Sequence, residues 1–412
     1  MRRRLLAVVF SLLLIFTGCS TNIQGQDLMK GIKAQEIKCK DEVEAGSTEI
    51  TDFAVRLFKA SEENGKNTLI SPISVMYALA MTANGAKADT LSQMEHVLGI
   101  PTDELNHFLY NYKKSLPQGK DYEFHLANSI WFTDHERFTV NQDFLQLNAD
   151  YYGADIYRTP FNNSTVKDIN NWVKNKTNDM IPEVLDEIPA NAIMYLVNAL
   201  AFEAEWADVY EENQVRDGEF TLEDGTIQTV EFMYGEEYNY IEDENAIGFL
   251  KYYKDCKYAF VALMPNEDLS VSDYISTLDG QRLENLIKNR TNLTVRTSIP
   301  KFETEYSLEM SGALKEMGIV DAFDENKANF TGLGASTEGN IFIDYVLHKA
   351  YISVAEKGTK AGAATVVAMV DKSAAFVEDE KEVYLDRPFV YMLIDCETNI
   401  PFFIGTMMNV NG

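Results

Sequence analysis

The sequence predicts a mixed α+β fold in one large domain, and three observations lead there. The chain has 412 residues, 46% of them apolar, enough to bury a sizeable core. Helical stripes and buried strand runs follow one another through residues 48–412, and only the first part of the chain reads as a linker. Third, residues 356–375, EKGTKAGAATVVAMVDKSAA, follow a strand-like YISVA at 351–355 and are too Ala-rich for an ordinary solvated loop. In an extended chain the side chains alternate between two faces. One face then carries Thr359, Ala361, Ala363, Thr365, Val367 and Met369, and the other Lys360, Gly362, Ala364 and Val366. The first face can lie on a core without burying a charge. The loop is written as a potential central strand.

The elements follow in chain order. Arg2, Arg3 and Arg4 precede an apolar run from Leu5 to Phe16, too short to span a bilayer as a mature helix, so residues 1–18 read as a signal peptide. Phe16-Thr17-Gly18-Cys19 resembles a bacterial lipobox, in which Cys19 is acylated (palmitate or a similar chain) and becomes the new amino terminus. Each buried CH₂ contributes ~0.8 kcal/mol, so a multiply acylated cysteine holds its protein firmly on a membrane. The expected location is therefore the bacterial cell envelope, after secretion across the inner membrane, at the outer membrane or cell surface. Residues 19–47, polar and rich in Lys, Glu and Gln, are expected to be a flexible tether.

Ser71 caps a helix whose first position is Pro72, where the missing N–H is harmless, and Asn84-Gly85 closes it. Val75 with Leu79, and Met76 with Ala80, give the spacing of a mostly buried helix. Leu91, Met94 and Leu98 mark a second helix that stops at Gly99. Ile169, Trp172, Val173 and Met180 form a stripe that predicts a helix with one face packed on the core. Leu196, Asn198, Leu200, Phe202, Ala204 and Trp206 share one strand face, while the other runs Val197, Ala199, Ala201 and then turns acidic at Glu203 and Glu205. A strand apolar on both faces at one end only implies a sheet partly covered by a helix. YAFVALMP (258–265) is a buried strand, and Phe389–Ile394 with Phe402–Met407 a buried hairpin.

Composition excludes several functions. The net charge of −28 repels phosphate backbones, and the thin cluster of Lys113, Lys114 and Lys120 has acidic neighbours, so nucleic-acid binding is not expected. Beyond Cys19, the cysteines are Cys39, Cys256 and Cys396, too few and too widely spaced for a disulfide framework. Cys256 and Cys396 are expected in or beside packed strands as small apolar side chains. No Gly-x-Ser-x-Gly elbow occurs, His135-Glu136 is followed by Thr139 where a second zinc-ligating His is needed, and Gly332-Leu333-Gly334 meets Thr337 where a dinucleotide fingerprint needs Gly. No catalysis, metal or cofactor is expected.

Five segments together resemble the serpin family. NTLISPISVMYALAMTANGAKADT (67–90), LVNALAFEAEW (196–206), IPKFETEYSLEMSGALKEMGIVDAFDENKANFTGL (299–333), HKAYISVAEKGTKAGAAT (348–365) and DRPFVYMLIDCETNIPFFIGTMM (386–408) are similar to its signatures, in the family's order. The resemblance implies a serpin domain over 48–412, with a large mixed central sheet, two further sheets, eight or nine helices and an exposed reactive-centre loop over residues 356–386. It implies inhibition of target proteases: the protease cuts the loop, an acyl-enzyme forms, and the loop inserts into the sheet and distorts the attacker before deacylation. Insertion needs small, uncharged inward residues, since burying an unpaired charge is expensive. Within the hinge set of Glu356, Gly358, Thr359, Ala361, Ala363 and Thr365, the inward positions Thr359, Ala361, Ala363 and Thr365 meet this need. About a dozen residues turned into central strand contribute roughly 1 kcal/mol each in hydrogen bonds, comparable to a typical domain's whole stability. The loop-out form must then be metastable, held by a kinetic barrier.

With Glu356 as the seventeenth residue before the cut, the resemblance puts the reactive bond between Lys372 and Ser373. A Lys there suits a pocket with an acidic floor, so trypsin-like serine proteases are the expected targets. Met369, Val370 or Ala374 would instead serve elastase-like or chymotrypsin-like enzymes, and the segment from Ser373 to Arg387, with Glu378, Asp379 and Glu380, is longer than the family's usual. Two gates are implied as well. Ser71, Ser74, Asn198 and His348 match a hydrogen-bonded cluster beneath the opening of the sheet, and Lys301 with Glu356 matches an ion pair at its top, near Trp206. The chain is expected to act as a monomer whose self-association hazard is the loop-sheet polymer. The alternatives are a broad inhibitor that also traps elastase-like or papain-like proteases, and a non-inhibitory binding module, which a clean hinge disfavours.

Overall fold

The computed structural model describes residues 23–37, 47–116, 122–134, 138–189, 192–337, 339–359 and 380–411. Among the described residues nine α-helices and eighteen strands form two large sheets and a two-stranded one, the expected α+β architecture. None of these helices is long and apolar enough to cross a membrane.

The first sheet runs, edge to edge, Gln26–Asp27, Asp155–Thr159, Tyr122–Thr133, Met194–Glu205, Gly358–Thr359, Tyr345–Ala355 and Phe302–Glu309. Strands 194–205 and 345–355 pair in parallel from Tyr195 opposite Tyr345 to Ala201 opposite Tyr351. Beyond that point the pairing stops. Gly358–Thr359 takes the place between them, antiparallel to both, with Thr359 opposite Ala204 on one side and Val354 on the other.

Both faces of strand 194–205 are packed, for the reason its alternation implies. Leu196, Leu200 and Phe202 join the main core with helix Pro72–Ala83, all of whose residues are buried. Val197, Ala199 and Ala201 join a second cluster with Ile169, Trp172 and Val173 of helix Asn163–Lys176, which lies across the sheet. Met180 joins that cluster from beyond the helix end. The second large sheet includes Thr291–Pro300, Ile227–Glu242, Ala246–Tyr252, Tyr258–Pro265 and the wholly buried hairpin Phe389–Asp395 and Pro401–Met407. Its edge strand Lys381–Tyr384 pairs in parallel with 291–300.

Two expectations are corrected. Cys256 is exposed, in the short turn Lys254–Cys256, because left-handed backbone at Asp255 (φ 62°) and Cys256 (φ 57°) carries the chain off the sheet; Cys396, by contrast, sits as expected beside its strand, half-buried and packed against the main core. Residues 23–37, within the span expected as a tether, lie on the body instead. The strand Asp155–Thr159 offers an open edge, which an extended segment satisfies. Gln26 and Asp27 pair with Arg158 and Tyr157, and the Leu28 N–H donates to the Ile156 carbonyl at 2.9 Å. The Gln24 N–H donates to the Asp168 carboxylate at 2.9 Å, and Leu28, Met29 and Ile32 pack on the main core. Cys19 and Cys39 lie outside the described residues.

A few backbone hydrogen bonds at about 1 kcal/mol each, with modest apolar burial, make this docking worth about 2–4 kcal/mol. A chain beginning at residue 38 should therefore unfold at lower denaturant than one beginning at residue 23. Equal midpoints would show that the docked segment contributes nothing.

Candidate functional site

The site forms where strand 345–355 ends. The chain turns at Glu356 and Lys357 and comes back as Gly358–Thr359. Gly358 sits at φ 149°, and a Cβ there would stand 2.0 Å from the Ala204 carbonyl oxygen, so the close approach of two backbones requires glycine. Thr359 is fully buried, and its hydroxyl shares a 2.5 Å hydrogen bond with the Tyr253 hydroxyl. Tyr253 is buried too, which pushes its pKa far above the usual tyrosine value, so it is a neutral hydrogen-bonding partner. Its ring stacks on Trp206 with centroids 4.3 Å apart.

Trp206 is the post around which the hinge is tied. Its indole N–H donates to the Ala355 carbonyl at 2.9 Å and its backbone N–H to that of Lys357 at 2.8 Å. The Tyr210 N–H donates to the Glu356 carbonyl at 2.9 Å. Outside, Lys301 Nζ bridges the Glu356 and Glu231 carboxylates, both at 2.8 Å. Hydrogen bonds to Glu231 and then Glu356 lift the Lys301 ammonium above the usual lysine range. Partial burial works to raise the Glu356 carboxyl, but Lys301 holds it below the usual range. Half-exposed pairs contribute little to stability, so this one orients the turn rather than holding the fold.

Lower in the sheet, Ser71, Ser74, Asn198 and His348 come together, all fully buried. Ser71 caps its helix, its hydroxyl oxygen accepting from the Ser74 N–H at 3.3 Å. The Ser71 N–H donates to His348 Nε2 at 3.0 Å, so that nitrogen is bare and the imidazole proton sits on Nδ1. Nδ1 in turn donates to Asn198 Oδ1 at 2.5 Å, and the Ser74 hydroxyl donates to the same oxygen at 3.3 Å. Asn198 and His348 are register partners across the parallel seam between strands 194–205 and 345–355. The cluster is thus a clasp on the line along which the sheet would open.

The structure brings Glu356, Gly358, Thr359, Trp206 and Lys301 into one site and Ser71, Ser74, Asn198 and His348 into another. Ala361, Ala363, Thr365, Lys372 and Ser373 lie outside the described residues. Sequence reasoning missed Tyr253, Tyr210 and Glu231. A tyrosine in LKYY (250–253) carries no mark that separates packing from latching, and its partner Thr359 is 106 residues away.

A family model described as serpin (serine protease inhibitor) matches residues 48–410. The chain belongs to the serpin family. The leukocyte elastase inhibitor of Xenopus laevis is 30% identical to this serpin, over 87% of this chain and 98% of its own. The native-state crystal structure of tengpin, a thermophilic serpin, superposes with a TM-score of 0.89 at 48% identity, covering 93% of this chain and 99% of its own. Tengpin in its latent state gives 0.79 at 47% identity, covering 91% and 100%. At nearly equal identity the fold here is closer to the native arrangement, in keeping with the intact seam.

The His348 clasp has a pH signature. Burial lowers the His348 pKa from 6.5 to about 3. Between those values the unfolded chain binds a proton that the native state refuses, so this contribution is complete above pH 6.5 and is lost as pH falls toward about 3. The native stability of the wild type should fall on acidification with an extra slope of up to ~1.4 kcal/mol per pH unit relative to His348→Gln. Parallel pH profiles for the two proteins would exclude the clasp as a titrating element.

Proposed function

We propose that this serpin is a suicide inhibitor of trypsin-like serine proteases that works by loop insertion. The observation that carries the reading is the hinge: Gly358 and Thr359 already pair on both sides as strand, with Thr359 fully buried between 194–205 and 345–355. The next inward positions, Ala361, Ala363 and Thr365, are small and uncharged, so the chain can follow Thr359 without burying a charge. In the proposed reaction the protease's serine oxygen attacks the Lys372 carbonyl carbon and the Lys372–Ser373 bond breaks. The Ser373 amino group leaves with the proton, and an ester joins Lys372 to the enzyme. Insertion then outruns hydrolysis of that ester.

A second reading has specific support. The Xenopus relative is named for elastase, and Met369, Val370 and Ala374 flank the Lys372 site. On that reading the loop also serves elastase-like or papain-like enzymes. The membrane tether through Cys19 is supported by the Arg2–Arg4 run, the short apolar stretch and the small pair before the cysteine. The same seam could take the loop of another copy, which would make loop-sheet polymers.

Incubation with trypsin should give a covalent complex that survives denaturant, and a released carboxy-terminal peptide beginning at Ser373. Cleavage without a complex would remove the suicide mechanism, and a peptide beginning elsewhere would move the reactive bond. Thr359→Arg should drive the hinge out of the seam and turn the inhibitor into a substrate, with the rest of the fold kept. An arginine variant that traps trypsin as well as the wild type would sink the insertion argument.

A further inference from the structure

A charged pair outside the predicted gates sits behind the hinge. Lys251, on strand Ala246–Tyr252, and Glu237, on the neighbouring strand Ile227–Glu242, form an ion pair at 2.7 Å with side chains only 3% and 11% exposed. Lys251 Nζ also donates to the Asp208 carbonyl at 3.0 Å, and lies 4.5 Å from the Tyr210 ring centre and 5.4 Å from that of Trp206. From the second sheet, one ammonium thus grips the whole segment 206–210. That segment grips the hinge, through the Trp206 N–H on Lys357 and the Tyr210 N–H on Glu356.

Stability alone is a poor reason for such a pair. Two desolvated charges barely recover their lost hydration in each other, and an apolar side chain of similar volume would hold the fold at least as well. An ammonium offers what methionine lacks: directed donors for a carboxylate and a carbonyl, and a charge for two aromatic faces, all at one fixed point.

We propose that Lys251, held by Glu237, is a positioning residue for loop insertion: it fixes segment 206–210 so that Glu356 and Lys357 stay docked and the hinge is ready to enter the seam. The proposal rests on the insertion reading above. Insertion races deacylation, so a hinge that starts undocked more often loses the race more often, and more inhibitor is released cleaved.

Lys251→Met, Lys251→Arg and Glu237→Gln in the full chain test this with two readouts. The first is hydrogen exchange of the native protein without protease. Lys251→Met should speed exchange at the Trp206 and Tyr210 amides about threefold or more and leave strand 258–265 unchanged. The second uses trypsin: the ratio of cleaved to complexed inhibitor should rise by about threefold or more, with the rate of loop cleavage unchanged. Lys251→Arg, which keeps the charge, should restore part of both. If Lys251→Met fails to fold, Glu237→Gln, which leaves the ammonium an uncharged acceptor, should show the same changes in smaller measure. Unchanged exchange at Trp206 and Tyr210 overturns the proposal, as does faster exchange with an unchanged product ratio. Acceleration that extends through 258–265 overturns it too, since Lys251 would then support the fold at large. A wild type that is cut without trapping trypsin overturns the insertion reading, and the proposal with it; the exchange data tell this failure from the others.

Discussion

On the proposed mechanism the structure depends on one constraint: the seam between strands 194–205 and 345–355 must hold in the resting protein and part on demand. Seven register pairs make the seam, from Tyr195 with Tyr345 to Ala201 with Tyr351. Above them the sheet is already prised apart by Gly358 and Thr359. The resting state is therefore not a closed sheet with a loop beside it. It is a sheet with a wedge started at one end and a clasp, His348 on Asn198, partway down.

The two holding points work by different physics. The clasp is a neutral network in a dry environment, where Asn198 Oδ1 accepts from both His348 Nδ1 and the Ser74 hydroxyl and a proton added to His348 Nε2 would face the Ser71 N–H. The upper tie is mostly backbone: Trp206 and Tyr210 hold the carbonyls of residues 355–357, and the Lys301 bridge orients the turn from outside. Backbone ties suit a hinge, since they hold the turn without dictating the side chains of the loop that follows.

Much of this was legible in the sequence because it is written locally. Ser71-Pro72 marks a capped helix start, and the two faces of 196–206 announce a half-covered strand. The Ser71–Ser74–Asn198–His348 cluster and the Lys301–Glu356 pair were legible only through resemblance, since Ser71, Asn198 and His348 are each unremarkable alone. What stayed hidden involves partners distant in sequence. Periodicity reports which face a side chain takes and says nothing about what meets it, so Tyr253 on Thr359 and Lys251 on Glu237 could not be read. The docking of residues 23–37 was hidden for a related reason: a polar segment looks like a tether unless one knows that an open strand edge lies beside it. Cys256 was misplaced because two left-handed non-glycine residues turn the chain where the composition shows no turn signal.

The turn at 356–357 has one more consequence, which concerns polarity. Strands 194–205 and 345–355 run the same way, and parallel ladders are slightly the weaker kind per residue. Because the hinge doubles back, any chain fed through it runs opposite to both neighbours, as Gly358–Thr359 already does. Each step of entry would thus exchange one parallel contact for two antiparallel ones. On the proposed mechanism the hairpin would make entry directional: the filling strand would advance only from the top downward, each pair laid down before the next is reached, as a zipper closes behind its slider.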